Sequence, residues 1–291
     1  MKDVVVGVDG SPASLAAVQW ATDDAVRAGV PLRIVFVLNR DPYQLRRFPD
    51  PELDDQLTRG AAKVLAEAEQ IAHARSGEVD VTTQMLEGAA GEVLRDLAAK
   101  AGELVIGTRG MGGFARLVVG SVSMQVAGRA AGAVVVVPHL PDLTKGEVVL
   151  GVDDTPECLP ALTYAFEQAA RRGATLRALH AWEPDVYPFA PDIGYNMEET
   201  RIAHQTAVAS LLAKARAEYP GVQVIEDVRR AHPVEALASA SEGADLLVVG
   251  SHGRGPVTAT VLGSVSRAVL HHARCPVAVV RPRLDEGGAD S

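Results

Sequence analysis

The sequence predicts a tandem α/β protein of two successive units, each a five-stranded parallel sheet covered by helices on both faces. Three observations lead there. First, VVVGVDGSPASLAAVQWA (4–21) returns as VVLGVDDTPECLPALTYA (148–165), and RAGVPLRIVFVL (27–38) returns as RRGATLRALHAW (171–182). This is a duplication of a whole domain-sized unit, not a solenoid of short repeats. Second, short valine-rich runs alternate with longer amphipathic stretches, the βαβ pattern of a parallel sheet. Third, GTRGMGGFARLVVGS (Gly107–Ser121) is matched by GSHGRGPVTATVLGS (Gly250–Ser264). Each reads G-x-x-G, nine residues, then G-S, behind an acidic residue and an apolar run.

The elements of the first unit follow in order. Lys2–Val8 is a continuous apolar run bounded by turn residues, which reads as a buried parallel strand. Asp9 stands at its carboxyl end. Ser11-Pro12 opens a helix, with Ser as N-cap and Pro at an early position; Leu15, Val18, Ala21 and Ala25 form its apolar stripe and Gly29 ends it. Leu32–Leu38 is the second strand, and Asn39–Glu52 a polar loop. Leu53–Arg75 is a long amphipathic helix with Leu57, Ala61, Val64, Leu65, Ala68 and Ile71 on one face. Val79–Leu86, Glu92–Lys100 and Glu103–Ile106 are strand, helix and strand. The glycine stretch leads into a helix at Ser121–Ala131 and a last strand at Ala133–Val137.

In the second unit the strands fall at Val148–Val152, Thr175–Ala181, Val222–Val228, Leu246–Val249 and Val277–Val280. Its helices begin near Thr155, Glu198, Pro233 and Ser264. The expected domains are 1–141 and 146–283, joined by Pro141–Gly146 and followed by an acidic tail at 284–291. The two final strands, AVVVVP and CPVAVV, are apolar sheet edges, which invite pairing. The two units are expected to pair through them as a pseudo-two-fold dimer within one chain, and two chains to associate again as a homodimer.

Composition narrows the function classes. With 28 basic and 37 acidic residues the net charge is −9, and no basic block occurs. Nucleic acid and membrane surfaces are therefore excluded as expected partners. No apolar run approaches the ~20 residues of a membrane span, and MKDVVVGVDGSP reads as a first strand rather than a signal peptide, so the expected location is cytoplasmic. Cys158 and Cys275 read as small buried hydrophobes in a reducing compartment. No His/Cys/Asp cluster has metal-ligand spacing, so no resident metal is expected.

The glycine stretch carries the chemistry. Glycine at a strand end permits close approach to a ligand. A glycine and a serine at a helix start leave free N–H groups at the positive end of the helix dipole, which suits a phosphate. Ser121 and Ser264 are expected to cap their helices and to offer hydroxyls to phosphate oxygens. Ligands of open parallel sheets sit outside the carboxyl ends of the strands, where strand order reverses. Asp9 with Gly107, and Asp153 with Gly250, then flank one crevice in each unit. Arg109 and Arg254 lie inside the loops, equally able to touch phosphate or solvent. His252 has no partner base, and His180 reads as a core or cleft-wall residue. His271 and His272 complement a helix C-terminus, and Trp20 and Trp182 serve packing.

GVDGS after the first strand and G-x-x-G-x9-G-S after the fourth, present in both units, resemble the universal stress protein family across the whole chain. The resemblance implies Rossmann-like (adenine nucleotide alpha hydrolase-like) domains of strand order 3-2-1-4-5. It also implies a site for ATP or another adenine nucleotide, with Mg2+ only alongside the nucleotide. Carried over by residue, Gly107, Gly110, Gly120 and Ser121 hold phosphates in the first unit and Gly250, Gly253, Gly263 and Ser264 in the second, joined by Ser123 and Ser266. Asp9 and Asp153 resemble the acidic residue beside ribose and triphosphate, and Val37 and Ala181 the strand-two position whose backbone meets adenine. Two departures distinguish the sites: Ala231-His232-Pro233 stands where the first unit has Gly88, and Pro256 where it has Gly113, so their affinities are expected to differ.

No Walker lysine motif G-x-x-x-x-G-K-[ST] occurs, and no water-activating residue stands out. The sequence therefore reads as a nucleotide-dependent regulator or sensor in stress response or growth control, read by a protein partner, with slow hydrolysis at most. A nucleotidyl-transfer or ATP-hydrolysing enzyme is the alternative. Against it, DGSP and DDTP stand where such enzymes carry H-x-G-H. A non-binding scaffold is the third reading.

Overall fold

Valine-rich segments apolar on both sides are stable only when both faces of their sheet are covered. The computed structural model describes residues 2–43, 50–110, 119–138, 144–153, 155–183, 197–251 and 262–283. In the first half, β1 (Val4–Val8), β2 (Leu32–Leu38), β3 (Val81–Glu87), β4 (Glu103–Gly107) and β5 (Gly132–Val137) alternate with α1 (Pro12–Ala28), α2 (Pro51–Arg75), α3 (Ala90–Ala98) and α4 (Ser121–Arg129). The second half gives β6 (Glu147–Gly151), α5 (Leu159–Arg172), β7 (Thr175–Trp182), α6 (Met197–Glu218), β8 (Val224–Arg230), α7 (Pro233–Ser241), β9 (Leu246–Gly250), α8 (Ser264–His272) and β10 (Val277–Arg281).

Each half takes the expected order 3-2-1-4-5 with parallel neighbours, and the two halves pair through their last strands, as expected, into one ten-stranded mixed sheet, β3-β2-β1-β4-β5-β10-β9-β6-β7-β8. The join is antiparallel: β10 runs against β5, with Val277 opposite Val136 and Arg281 opposite Gly132. The reason is the edge chemistry of these strands. All six residues of β5 are buried, and an apolar strand buried on both faces needs a partner for its remaining row of N–H and C=O groups.

Two apolar layers sandwich this sheet, and both run through both halves. Val4, Val6 and Val8 point to one layer with α1, α2, α5 and α6, where Phe166, Leu176 and Leu212 are fully buried. Val5 points to the other with Leu94 of α3, Val126 of α4, Leu237 of α7 and Val269 of α8. The side chains of a strand alternate between the faces, so each strand feeds both layers.

Local chemistry explains where helix boundaries depart from the periodicity. α2 begins at Pro51 rather than Leu53 because Asp50 caps it, its Oδ1 accepting from the N–H groups of Glu52 and Leu53 at 3.1 Å each. α1 is capped by Ser11, whose Oγ accepts from Ser14 N–H at 3.2 Å. Its counterpart α5 has no side-chain cap and is preceded by a 3-10 turn, Pro156–Cys158.

Candidate functional site

The glycine motif closes onto the end of β4. Gly120 N–H donates to Thr108 C=O at 2.7 Å, so residues twelve apart in sequence meet at the mouth of the sheet. α4 then starts with Gly120 as N-cap, in extended geometry (φ −75°, ψ 162°) and with no side-chain cap. Gly263 caps α8 the same way. The expected capping by Ser121 and Ser264 is thus corrected: each serine is the first residue inside its helix, one position too late to cap. A glycine cap supplies no side-chain acceptor, so the first-turn N–H groups of α4 have no partner within the helix and lie at its positive end.

Those N–H groups border a cleft of about 380 Å3 at the carboxyl ends of the central strands. Its walls bring together all seven residues expected to meet ligand in the first unit, Asp9, Val37, Gly107, Gly110, Gly120, Ser121 and Ser123, and Arg109 lines it beside them. β1 and β4 are neighbours here, Gly7 opposite Ile106, which sets Asp9 beside the glycine loop. Asp9 Oδ1 accepts from Ser11 N–H at 3.0 Å, fixing the carboxylate over the start of α1. Ser11 Oγ donates to Arg109 C=O at 3.0 Å and so ties that turn to the loop.

The glycines of the motif serve different ends. A Cβ on Gly107 would lie 2.6 Å from the Ala13 carbonyl carbon and 2.8 Å from Ser14 N, so the backbone of α1 is what excludes a side chain there. A Cβ on Gly110 would collide with the Asp9 carboxylate. At Gly120 the nearest atom to such a Cβ is Thr108 O at 3.4 Å, an ordinary contact, and φ is negative. Packing against the described residues therefore gives no reason for glycine at 120, which lines the cleft.

Ser123 and Ser266 act on the framework. Both are buried, and their hydroxyls donate to the strand-end carbonyls, Ser123 Oγ to Gly107 O at 2.8 Å and Ser266 Oγ to Gly250 O at 2.6 Å. Each clamps its helix start to its strand end. The one hydroxyl hydrogen of each is engaged there, whereas Ser121 is exposed and makes no such bond.

The second unit repeats this plan. Asp153 Oδ1 accepts from both Thr155 N–H at 3.1 Å and Thr155 Oγ1 at 2.7 Å, and Gly263 N–H donates to Ser251 C=O at 2.9 Å. Ala181 lies in β7 opposite Arg229 of β8, at the position Val37 holds in β2 opposite Leu86. Gly250 ends β9 and Ser264 begins α8. Gly253, His252, Arg254, Pro256 and Gly113 lie outside the described residues.

Sequence reasoning missed one wall of the cleft. Ala90 and Leu94, at the start of α3, line it opposite β2; the signal was Gly88, whose φ of +134° turns the chain from β3 into that helix. Both cysteines are buried thiols, pushed up to about 12, Cys158 by burial and then by the Asp153 charge, Cys275 chiefly by burial. His180 is buried, its Nδ1 2.9 Å from Val152 O and its Nε2 3.0 Å from His204 Nδ1. Among the described residues no group of three or more His, Cys, Asp or Glu could hold a metal ion, and no helix is long and apolar enough to cross a membrane.

Comparison with known proteins agrees with this architecture. The model of the universal stress protein family matches residues 1–138 and again 146–281. A universal stress protein of Mycobacterium tuberculosis is 35% identical over 96% of both chains. One from Mycolicibacterium smegmatis is 36% identical over 96% of this chain and 97% of its own. The crystal structure of a universal stress protein from Archaeoglobus fulgidus superposes with a TM-score of 0.70, at 23% identity, over 98% of this chain and 97% of that one.

Proposed function

The chain belongs to the universal stress protein family, and from that premise we propose that it is a nucleotide-dependent regulator that holds ATP, or a related adenine nucleotide, in each half. The observation that carries the reading is Gly120. Among the described residues no neighbouring atom demands glycine there, yet the position caps a helix whose unpartnered N–H groups border the cleft. A phosphate seated against those groups supplies the missing reason, because it needs the room a side chain would take.

The remaining walls suit the rest of such a ligand. Val37 and Leu94 offer an apolar slot for a base, and Asp9, held by Ser11, offers acceptors to ribose hydroxyls or a ligand for magnesium carried in with the nucleotide. Without a Walker lysine or a named water-activating group, binding outlasts turnover. Occupancy then biases a conformation that a protein partner reads. The same reading makes the protein cytosolic and a homodimer of tandem chains; a monomeric mass in sedimentation at micromolar concentration removes the last part.

The deciding experiment is to purify the chain without added nucleotide, denature it, and identify what is released by chromatography and mass. ATP at one to two per chain is the expected result. Nothing released, together with no binding on titration, overturns the reading in favour of a scaffold.

A further inference from the structure

Gly128 lies in the last turn of α4, the helix whose first residues border the first cleft. At 1.5 Å per residue the two ends are about 12 Å apart. The far end is held by the other half of the chain in two ways. Leu262 is buried in the same apolar cluster as Val126 and Ala127 of α4, close enough that a Cβ on Gly128 would lie 3.5 Å from its Cγ, and it immediately precedes Gly263, the N-cap of α8. The carbonyl of Gly128 accepts from Arg281 Nη2 at 2.6 Å. Arg281 is the last residue of β10, and the residue before it, Val280, accepts through its carbonyl from Ser251 N–H at 3.1 Å. Ser251 immediately follows Gly250.

The helix start of the second glycine loop therefore stands one residue from Leu262, and its strand end is bonded to Val280, one residue from Arg281. The arginine link is built once: in the duplicated register Pro138 occupies the place of Arg281, and proline has no side-chain donor. We propose that the two sites are energetically coupled through the last turn of α4, so that a phosphate-bearing ligand on one loop changes the affinity of the other. This rests on the nucleotide reading above. A packed helix moves as a body, so fixing its first turn against an anion also fixes Gly128, and with it Leu262 and Arg281. The coupling is reciprocal for binding free energies.

Hydrogen exchange on the full chain carrying Gly263→Asp tests this, because magnesium ATP then enters the first site alone. The expected result is slowed exchange in the first turn of α4 and a change of about fivefold or more in the first turn of α8. Adding Leu262→Ala and Arg281→Leu leaves the α4 response and removes that of α8. A response in α4 with none in α8 overturns the coupling while the nucleotide reading stands. No response in α4 removes both. Calorimetry checks the link without the blocking substitution: Arg281→Leu, which is not among the residues lining the first cleft, changes the ratio of the two stepwise ATP affinities about fivefold or more, and an unchanged ratio overturns the proposal.

Discussion

Gln168 and Asp24 hold the same place in the two halves, and they bond to each other: Gln168 Nε2 donates to Asp24 Oδ2 at 3.1 Å. Their separation of 144 positions is the offset by which α5 repeats α1. Equivalent residues can touch only on the pseudo-two-fold axis, so this bond marks it. The cluster around it is not symmetric. Gln168 Nε2 also reaches Glu103 Oε2 at 3.2 Å, Tyr164 Oη donates to that same oxygen at 2.7 Å, and Arg172 Nη2 lies 2.6 Å from Asp24 Oδ1. Arg172 also stands 5.2 Å from the centre of the Trp20 ring. Three segments from both halves, α1, the start of β4 and α5, are fastened by buried polar groups.

Removing Arg172 should be costly. Asp24 is fully buried and Arg172 almost so, and burial alone would raise the Asp24 carboxyl; Arg172, aided by bonds from Glu103 and Gln168, holds it below its ordinary 3.8. Arg27, 3.6 Å away and one-third exposed, is a weaker partner. Arg172→Met leaves a buried anion with the Gln168 and Glu103 bonds but only the distant Arg27 as a cation, and the expected loss is about 3–5 kcal/mol in urea unfolding. A loss under about 1 kcal/mol would mean that water reaches Asp24 in the folded chain.

Glu103 gives the cluster a pH dependence of the opposite sign. Burial, and then the charge of Asp24, push its carboxyl well above the ordinary 4.5. A group bound to its proton more tightly when folded contributes stability that is whole below its unfolded value and is lost as pH rises toward the folded one. Asp24 contributes stability present above 3.8 and lost as pH falls through its lowered folded value. Glu103→Gln, which keeps the shape and cannot ionise, is expected to flatten the decline in unfolding free energy between pH 5 and 7. Parallel pH profiles for the variant and the unaltered chain would show that Glu103 stays ionised in the fold.

The sequence already carried the alternation of elements, the duplication and the gathering of seven residues around one cleft, because those rest on local periodicity and on motifs near strand ends. It did not carry the buried polar cluster on the axis. Asp23 and Asp24 are adjacent aspartates of one helix, yet Asp23 bonds to the half-exposed Arg75 and Asp24 is wholly buried. What separates them is a partner 144 positions away, which no local pattern encodes. The same holds for Ser121 and Ser123: the motif points to both, but only the fold brings Gly107 O within reach of the second, 16 residues off.

That difference between the serines is testable. Ser123→Ala removes a buried bond to Gly107 O, so the expected cost is about 1–2 kcal/mol of stability, with weaker ATP binding only through a displaced α4. Ser121→Ala, at an exposed position, is expected to leave the unfolding midpoint unchanged and to lower ATP affinity about fivefold, the scale of one hydrogen bond. Thermal unfolding beside calorimetric titration separates the two; a reversed pattern would assign the phosphate contact to Ser123 instead.

The glycines divide in the same manner. Gly107→Ala drives a Cβ to 2.6 Å from the Ala13 carbonyl carbon, backbone that cannot swing aside. α1 must shift off β4, and the expected cost is about 1–3 kcal/mol, the scale of overpacking. Gly120→Ala meets only an ordinary contact at 3.4 Å and leaves the fold intact. Gly120→Asp sets a carboxylate where phosphate is proposed to sit, and ATP stoichiometry is expected to fall from two to one per chain with the unfolding midpoint retained. Gly263→Asp does the same to the other half. Should Gly120→Asp bind two nucleotides as the unaltered chain does, the helix terminus is not the phosphate seat, and glycine at 120 loses the explanation that packing does not supply.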